Sequence, residues 1–435
     1  MDNISVNTLV DSYENPLPRE IQLNIAKNIS NESLGKSESL KEYIKKIDSL
    51  VLSQQKRVIN CTGTLLHTNL GRAQSNISFT GYATNIEYDL EKQERGVRNA
   101  YLTSSMNILL NSEDVCFVNN NASSLFLTLQ SLKKENTTDA VIISRGEIIE
   151  IGGSYRLPEI IQETGMQLIE VGTTNKTHPK DYRKALRENP NALVLKVHRS
   201  NFSLSGFVEE VSIKELKTIT DEFEVLLVHD LGSGLVIDRK FLEMQNITFF
   251  NKEISVQESL EEGSDVVLFS GDKLFGSMQA GIIAGSKNIV TKIKEHPLFR
   301  TYRCSPMVTY ELQKTTEFYL SKDEKKIPFW AFMSISLEEL DKRVNKMSKK
   351  ITLEHTILED FSLVGGGTMP DVKIPSPVIC INNKENNQIQ SVLAKLDLPI
   401  IPRTRENNIL FDLRSVFIDD DIHIIDALNL SLIHI

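Results

Sequence analysis

The sequence VVLFSGDKLFG, residues 266–276, decides the fold. It begins with a short apolar run and continues into glycine, aspartate and lysine, which is typical of a buried β-strand that opens into a loop. Similar runs recur along the chain, each followed by a helical stretch: VCFVNN at 115–120, AVIIS at 140–144, QLIEVG at 167–172, ALVLKVH at 192–198 and VLLVHD at 225–230. Strands buried on both faces that alternate with helices predict an α/β domain with a mostly parallel sheet.

The polar residues that follow these runs are candidate site residues, because open α/β sheets bind ligands beyond the carboxyl ends of their strands. Lys273 follows VVLFSG, and partial desolvation would favour the neutral amine that forms an imine with an aldehyde cofactor. Asp230 ends VLLVHD and could pair with a pyridinium nitrogen, which keeps such a ring protonated as an electron sink. Taken alone, each residue has an ordinary alternative: a surface lysine in a loop and an Asp-Gly turn.

A third feature is the polar stretch NNNASS at 119–124, which opens a helical run. Free N–H groups and hydroxyls at a helix N-terminus suit a phosphate, so Asn121 and Ser123 are candidate ligands, although a plain N-cap has the same composition. Ser270, at the end of the 266–271 run, is another candidate. An anion site, an aspartate and a lysine on successive strand ends together predict a pocket for pyridoxal 5'-phosphate (PLP).

Composition limits the class of protein. The 435 residues have a formal net charge of −9, which argues against a general polyanion binder but leaves room for a local basic patch. The four cysteines are far apart, so a disulfide framework or zinc ribbon is not expected, and the histidines have no metal-ligand spacing. No signal peptide or apolar run of membrane-spanning length is found, so we expect a cytoplasmic protein with no membrane partner.

Changes in the pattern of apolar and polar residues divide the chain into three predicted parts. Residues 1–56 are expected to form short polar helices with nearly balanced charge, residues 57–329 the large sheet domain, and residues 330–435 a small α+β domain. The expected elements near and within the last part are a helix at 308–325, a longer helix at 335–357, strands at 376–381 and 408–416, and a tight VGGGT turn at 364–368.

Arginines and histidines supply further candidates. Arginine forks suit phosphate-like oxyanions and so indicate an anionic second substrate or an RNA backbone, with solvated surface ion pairs as the alternative. The arginines in such positions are Arg72, Arg95, Arg98, Arg145, Arg156, Arg300 and Arg303. His67, His198 and His229 all fall near predicted strand ends, where one of them could stack on the cofactor ring or relay a proton.

Whole strings of the sequence closely resemble the bacterial selenocysteine synthase family, the L-seryl-tRNA(Sec) selenium transferases. The resemblance covers about 57–435. The matching strings are RVINCTGTLLHTNLGRA (57–73), EYDLEKQERGVR (87–98), VNNNASS (118–124), ISRGEIIEIGGSYRLPE (143–159), EVGTTNKTH (170–178), KVHRSNFSLSGF (196–207), DLGSG (230–234), FSGDKLFG (269–276), QAGIIAG (279–285) and HPLFRTYR (296–303).

This resemblance implies an aspartate-aminotransferase-like PLP fold of type I. Lys273 matches the family's PLP-binding lysine, and Asp230 takes the position of the partner of the pyridine nitrogen. Arg72, Arg300 and Arg303 match positions that hold the oxyanion of the selenium donor. The family also implies a homo-oligomer, a dimer or a ring of dimers, with active sites at subunit interfaces, and an amino-terminal region that grips tRNA(Sec).

The implied reaction converts seryl-tRNA(Sec) to selenocysteinyl-tRNA(Sec). Water is lost by β-elimination through aminoacrylyl-tRNA, and selenium is then added from selenophosphate. The chain departs from the family pattern at Arg199, in the Ser277-Met278 turn and at Cys304-Ser305-Pro306. With the short amino-terminal region, these departures support an alternative, a PLP-dependent β-eliminating enzyme that acts on a free small amino acid without tRNA. An RNA-binding or regulatory module without turnover is a third possibility, which an intact Lys273 and Asp230 disfavour.

Overall fold

The computed structural model describes residues 5–31, 34–78, 83–133, 138–151, 155–202, 204–382 and 386–430. The chain divides into two compact units. The large unit comprises Gly63–Arg343 and Glu359–Pro377, and the small unit comprises Met1–Thr62, Val344–Leu358 and Val378–Ile435. No helix within the described ranges is long and apolar enough to cross a bilayer.

The helices and strands of the described residues are numbered in chain order. The helices are α1 (Val6–Asp11), α2 (Arg19–Ser30), α3 (Lys36–Ser53), α4 (Ala100–Leu110), α5 (Asn121–Lys133), α6 (Leu157–Glu163), α7 (Pro179–Glu188), α8 (Ile213–Glu222), α9 (Arg239–Met244), α10 (Val256–Glu261), α11 (Lys287–Glu295), α12 (Pro297–Tyr302), α13 (Pro306–Leu320), α14 (Pro328–Met333), α15 (Leu337–Ser348), α16 (Asn386–Lys395) and α17 (Asp421–Asn429). The strands are β1 (Ile59–Cys61), β2 (Tyr88–Asp89), β3 (Glu94–Arg95), β4 (Asp114–Val118), β5 (Ala140–Ser144), β6 (Glu150–Ile151), β7 (Tyr155–Arg156), β8 (Gln167–Val171), β9 (Ala192–Val197), β10 (Leu227–Gly232), β11 (Val266–Ser270), β12 (Gly281–Gly285), β13 (Thr356–Gly365), β14 (Thr368–Asn382), β15 (Ile400–Arg405) and β16 (Asn408–Asp412).

The large unit is built on a sheet with the strand order β4-β12-β11-β10-β9-β5-β8. Strands β8, β5, β9, β10 and β11 pair in parallel, while β12 runs antiparallel to both β11 and β4. The predicted mostly parallel sheet is confirmed. Because β4 points the same way as β11, the carboxyl ends of β4, β9, β10 and β11 lie along one edge of the sheet.

Both faces of this sheet are covered, which explains the unbroken apolar runs. Along β5, Val141 and Ile143 pack into one apolar cluster, with side chains from α5, α6 and α11, whereas Ala140 and Ile142 pack into another, with side chains from α7 and α8. Successive side chains of a strand point to opposite faces, so every position in such a strand is apolar.

Strand β12 was not predicted. Its sequence, GIIAG, is a very short apolar run bounded by glycines, and such runs give little periodic signal. A Cβ on Gly281 would lie 2.1 Å from Ser124 Oγ and 2.2 Å from the carbonyl oxygen of Asn120. Glycine at this position therefore allows the start of α5 to pack directly on the strand.

The small unit contains the predicted short amino-terminal helices. Helices α1, α2 and α3 bury an apolar cluster of their own that includes Leu9, Ala26, Ile29, Tyr43 and Ile47. In the same unit, β1 pairs in parallel with β15, and β16 pairs antiparallel with both β15 and residues 378–382 of β14. The remaining residues of β14 belong to the large unit.

The long helix predicted at 335–357 is wrong in extent. Helix α15 ends at Ser348, and β13 begins at Thr356. The β-branched Thr352 instead directs both its backbone N–H, at 2.7 Å, and its Oγ1, at 2.9 Å, to Asn429 Oδ1. This tertiary contact takes the N–H group that would have continued the helix. The helix predicted at 308–325 is present as α13 but ends earlier, at Leu320. The strand predicted at 376–381 lies within β14, and the strand predicted at 408–416 is present as β16 but ends at Asp412.

Candidate active site

Lys273 lies three residues beyond β11 and faces a cavity of about 210 Å³ at the edge where the strands end. Its side chain is buried, and the residue is 8% exposed. Burial lowers the pKa of Lys273, and the positive charge of Arg72 lowers it further, while Asp230, Asp272 and Glu253 oppose the shift. A depressed pKa raises the fraction of neutral amine, the form that attacks an aldehyde.

Asp230 reaches the same cavity from the neighbouring strand β10. The pairing of β10 with β11 shifts register between Asp230 and Gly232, and Gly232 has a φ of 65°, a left-handed conformation that glycine adopts without strain. Burial raises the pKa of Asp230 to about 6, although the hydrogen bond from Asn121 and the charge of Lys273 oppose the rise. At neutral pH this carboxyl is largely ionised and can accept a hydrogen bond from a protonated ring nitrogen.

The start of α5 forms another wall of the cavity, which Asn120, Asn121 and Ala122 line. The Asn121 Nδ2 group donates to Asp230 Oδ1 at 2.7 Å, and Asn120 Oδ1 accepts from the backbone N–H of Ser123 at 2.8 Å. The first N–H groups of a helix have no acceptor within the helix, so those of Asn121 and Ala122 remain for a ligand. Ser123 lies one residue beyond the cavity lining, and its N–H is already capped.

Two more predicted residues meet in the cavity through a carboxylate that the sequence analysis did not single out. Asp272 Oδ2 accepts from Arg72 Nη1 at 2.8 Å, and Asp272 Oδ1 accepts from Ser270 Oγ at 2.6 Å. Arg72 and Ser270 both line the cavity. Because Asp272 immediately precedes Lys273, this pair of bonds fixes the backbone that carries the lysine.

Arg300 and Arg303 do not line this cavity. Arg300 is exposed on α12. Arg303 follows the same helix, and its Nη1 lies 3.3 Å from Glu87 Oε1. Glu87 also interacts with Arg95 at 3.7 Å and with Arg98 at 3.6 Å. Within one chain, the described structure therefore brings Arg72 to Lys273 and leaves the other two arginines outside.

The three candidate histidines have different surroundings. His229 is buried, its Nδ1 lies 2.7 Å from Ser259 Oγ, burial holds its pKa well below the usual value, and it does not line the cavity. His67 does not line the cavity. His198 does, and its Nε2 lies 3.2 Å from Glu253 Oε2. Glu253 lies in a loop before α10, away from any strand end, and no feature of the sequence pointed to it.

The family departures lie beside the cavity rather than in its lining. Arg199 Nη2 donates to Glu210 Oε2 at 3.1 Å. Ser277 Oγ accepts from Thr315 Oγ1 at 3.0 Å. Cys304 is buried with its Sγ 2.9 Å from the carbonyl oxygen of Val118, while Ser305 caps α13, where Pro306 is the first residue. A Ser-Pro start is a common helix beginning, which accounts for that stretch without a catalytic role.

The cavity residues fit PLP. A Cβ on Gly232 would lie 3.9 Å from both Lys273 Nζ and Asp230 Oδ1, so the bare glycine leaves room between the amine and the carboxylate. Asn121 Oδ1 is buried without a hydrogen-bond partner among the described residues, which leaves one acceptor for a bound group. A buried amine, a buried carboxylate and a helix N-terminus match the aldehyde, ring nitrogen and phosphate of this cofactor.

Comparison with solved structures supports the fold. A D-glucosaminate-6-phosphate ammonia-lyase structure superposes with a TM-score of 0.59 and 15% sequence identity, covering 89% of this chain and 98% of the other. This similarity, at low identity, concerns the architecture alone. The predicted PLP-dependent type I fold is confirmed.

Sequence relatives are much closer. A protein named L-seryl-tRNA(Sec) selenium transferase from Mannheimia succiniciproducens is 40% identical over 83% of this chain and 79% of its own length. Proteins with the same name from Clostridium perfringens and Campylobacter lari are 38% and 37% identical and cover 93% and 98% of this chain, and 89% and 97% of their own lengths. The family model described as SelA: L-seryl-tRNA selenium transferase matches residues 58–417. The chain belongs to the L-seryl-tRNA selenium transferase family.

Proposed function

We propose that this chain is a PLP-dependent enzyme that converts seryl-tRNA(Sec) to selenocysteinyl-tRNA(Sec) with selenophosphate. One observation carries the proposal: a buried lysine with a lowered pKa shares a cavity with a buried aspartate in a member of this transferase family. When bound, PLP supplies an electron sink that lowers the barrier to losing the Cα proton and the β-substituent of serine.

Lys273 performs two tasks in this proposal. Its neutral amine would hold the cofactor covalently, and as a free amine it would take the Cα proton of the seryl group. A base works best when its pKa lies near the working pH, and burial together with Arg72 moves the pKa of Lys273 in that direction.

Asp230 would hold the ring nitrogen of the cofactor in its protonated state. The Nδ2 group of Asn121 donates to one carboxylate oxygen at 2.7 Å, so the carboxylate is oriented and still has acceptor capacity for the ring N–H. Since the pKa of Asp230 is about 6, the carboxylate is charged at the pH of the cytoplasm, where we place the enzyme.

Arg72 is proposed to bind the second substrate, selenophosphate. It lines the cavity, and the guanidinium has donors beyond the Nη1 bonded to Asp272, which suits a phosphate-like oxyanion such as selenophosphate. Arg300 and Arg303 are proposed to complete this site in the cavity of another chain of a homo-oligomer, a dimer or a ring of dimers. Their exclusion from the cavity of their own chain supports this assignment.

Residues 1–56 are proposed to grip tRNA(Sec), residues 57–329 to form the catalytic domain and residues 330–435 the small domain. The amino-terminal helices bury an apolar cluster of their own, and the exposed Lys41 and Lys45 of α3 support the first assignment. Deleting residues 1–56 should abolish tRNA binding in a gel shift while borohydride still traps the cofactor on Lys273.

The test is a direct assay with three substrates. Purified PLP-loaded protein is given selenophosphate with seryl-tRNA(Sec), with seryl-tRNA of the ordinary serine acceptor, or with free L-serine. Selenocysteinyl-tRNA formed from seryl-tRNA(Sec) alone is the expected result. Pyruvate from free serine, without tRNA binding, would establish the small-substrate lyase instead, and tRNA binding without turnover would indicate a binding module.

A further inference from the structure

In the mechanism proposed above, the departing β-oxygen has no assigned proton donor. Loss of water from a seryl group breaks the Cα–H and Cβ–O bonds and forms the Cα=Cβ double bond. The Cα proton goes to Lys273, while the departing oxygen takes the electron pair of the Cβ–O bond and needs a proton to leave as water. Hydroxide is a poor leaving group, so an acid at this oxygen would accelerate the step.

His198 is placed to be that acid. It follows β9, and Lys273 follows β11, with β10 between them, so both residues lie at the same edge of the sheet, and both line the cavity. The backbone N–H of His198 donates to the carbonyl oxygen of Asp230 at 3.0 Å, which fixes its position beside the cavity. A serine bound at Lys273 would therefore lie in a cavity that His198 also lines.

The other cavity groups are less suited to this task. Arginine does not give up a proton at working pH, so Arg72 is excluded. Asp230 is committed to the ring nitrogen, and Lys273 to the Cα proton. Imidazole is the side chain whose ordinary pKa lies close to neutrality.

Glu253 fixes the imidazole. Its two carboxylate oxygens lie 3.1 and 3.2 Å from His198 Nε2, so that nitrogen is occupied, and only Nδ1 and the ring face remain for the cavity. Burial, the largest influence, would raise the pKa of Glu253, but the hydrogen bond and charge of His198, with smaller contributions from Ser233 and Lys273, hold it below the usual value. Glu253 is therefore a buried anion, and such a charge needs a partner.

Glu253 is itself held by a rigid support. Arg239 Nη2 donates to the backbone carbonyl of Glu253 at 2.6 Å, and Arg239 Nη1 donates to that of Phe250 at 2.7 Å. The same guanidinium grips both carboxylate oxygens of Glu258, at 3.1 and 2.6 Å. A loop tied at this many points can hold a carboxylate against an imidazole with a fixed orientation.

We propose that His198 is a catalytic residue that donates a proton from Nδ1 to the departing β-oxygen of the seryl group, and that Glu253 is the positioning residue that orients it. The inference rests on the proposed function. The balance is complete: the Cα proton passes to Lys273, the His198 proton leaves in water, and His198 regains a proton from solvent or from Lys273 before the next turnover.

The test compares leaving groups in His198→Gln, Glu253→Gln and the double variant. His198→Gln should eliminate water from seryl-tRNA(Sec) about 10²- to 10⁴-fold more slowly than the unaltered enzyme does. With β-chloroalanyl-tRNA(Sec), whose chloride leaves without a proton, the variant should approach the unaltered rate. Glu253→Gln should show a smaller loss with the same rescue, and it should add nothing in the His198→Gln background, because Glu253 acts through His198.

Two further readouts separate a proton donor from a structural role. Each variant should keep the absorption spectrum of bound PLP and the borohydride-trapped label on Lys273. Exchange of the Cα proton of seryl-tRNA(Sec) with deuterated solvent should continue in His198→Gln, because Lys273 is intact. Glu210→Gln is the matched control, since Glu210 is charge-coupled to His198 but bonds Lys196 and Arg199.

The outcomes separate failure of the proposed function from failure of the proton-donor role alone. If the unaltered enzyme does not dehydrate seryl-tRNA(Sec), the proposed function fails, and this inference fails with it. Three results with an active unaltered enzyme would overturn only the proton-donor role. They are an equal fall in the elimination rate with both substrates in His198→Gln, loss of Cα proton exchange in that variant, and no change in either rate. Should His198→Gln fail to fold, leaving-group rescue in Glu253→Gln supports the role and its absence overturns it.

Discussion

The strand-end cavity and the exposed cations proposed to hold the substrates are built on opposite principles. Lys273 and Asp230 are buried and alter each other's pKa values, and their positions are fixed by neighbouring strands. Arg300 on α12 and Lys45 on α3 are exposed, and Arg303 is held by Glu87. In the proposed mechanism, the groups for cofactor chemistry are already in place within one chain, whereas substrate holding combines Arg72 in the cavity with exposed groups that a substrate or another chain would engage.

The largest expected effect is at the centre of the cavity. Lys273→Ala should remove both the covalent link to PLP and the base for the Cα proton, and turnover should fall by at least about 10³-fold. Borohydride reduction followed by peptide mass spectrometry measures the link, and Lys287→Ala, at an exposed lysine, is the control. A cofactor label on any other lysine would place the cofactor site elsewhere.

Asp230→Asn should keep PLP bound and slow turnover. A neutral amide holds a protonated ring less well, and losing a charge-assisted hydrogen bond costs about 1.5–3 kcal/mol, which corresponds to roughly ten- to hundredfold in rate. Rates measured with saturating PLP test this, with the absorbance of bound cofactor as the control for occupancy. An effect no larger than that of a surface substitution would show that Asp230 is only a turn residue.

The same substitution should stabilise the cofactor-free protein above neutral pH. The folded pKa of Asp230, about 6, exceeds its ordinary value of 3.8, so the folded state binds this proton more tightly than the unfolded state. The resulting stability is present below pH 3.8 and is lost as the pH rises through 6, at a cost of at most about 3 kcal/mol. Urea unfolding at pH 8 should show a higher midpoint for Asp230→Asn than for the unaltered protein, and this gap should shrink towards pH 4.

The arginines test the other side of the comparison. Alanine at Arg300 or Arg303 should weaken the apparent affinity for selenophosphate roughly ten- to hundredfold, which is the scale of a charge-assisted bidentate contact. Loss of water from seryl-tRNA(Sec) should continue in both variants. Arg95→Ala is the matched control, because Arg95 also interacts with Glu87 and its side chain is 81% exposed. An unchanged apparent affinity for selenophosphate in both variants would show that Arg300 and Arg303 are ordinary surface arginines.

The sequence predicted the strand-end residues better than their partners. Apolar runs mark buried strands, and the topology of a parallel sheet brings the residues after each run together, so the sequence alone predicts that Lys273 and Asp230 share one cavity. The partners depend on long-range contacts that no local pattern encodes. Glu253 reaches His198 from a loop, and Glu87 holds Arg303 across more than two hundred residues of sequence.

The smallest effect is expected at the amino-terminal helices. Lys41 and Lys45 are four residues apart on α3 and exposed, above a buried face that includes Tyr43 and Ile47. Glu42 lies 3.9 Å from Lys45 Nζ, so part of the positive charge there is already offset. If these lysines contact tRNA phosphates, alanine at both should weaken tRNA(Sec) binding a few-fold, because phosphate contacts between flexible lysines and RNA are individually weak.

Salt makes this last prediction specific. Each phosphate contact that is lost should reduce the slope of log affinity against log salt by about 0.7–0.9, so the double variant should bind with a visibly shallower salt dependence. Lys36→Ala, at the first residue of the same helix, is the control for a general change in charge. Gel shifts at several salt concentrations measure both quantities. An unchanged slope in the Lys41 and Lys45 double variant would move tRNA recognition away from this face of α3, and would leave the cavity chemistry at Lys273 unaffected.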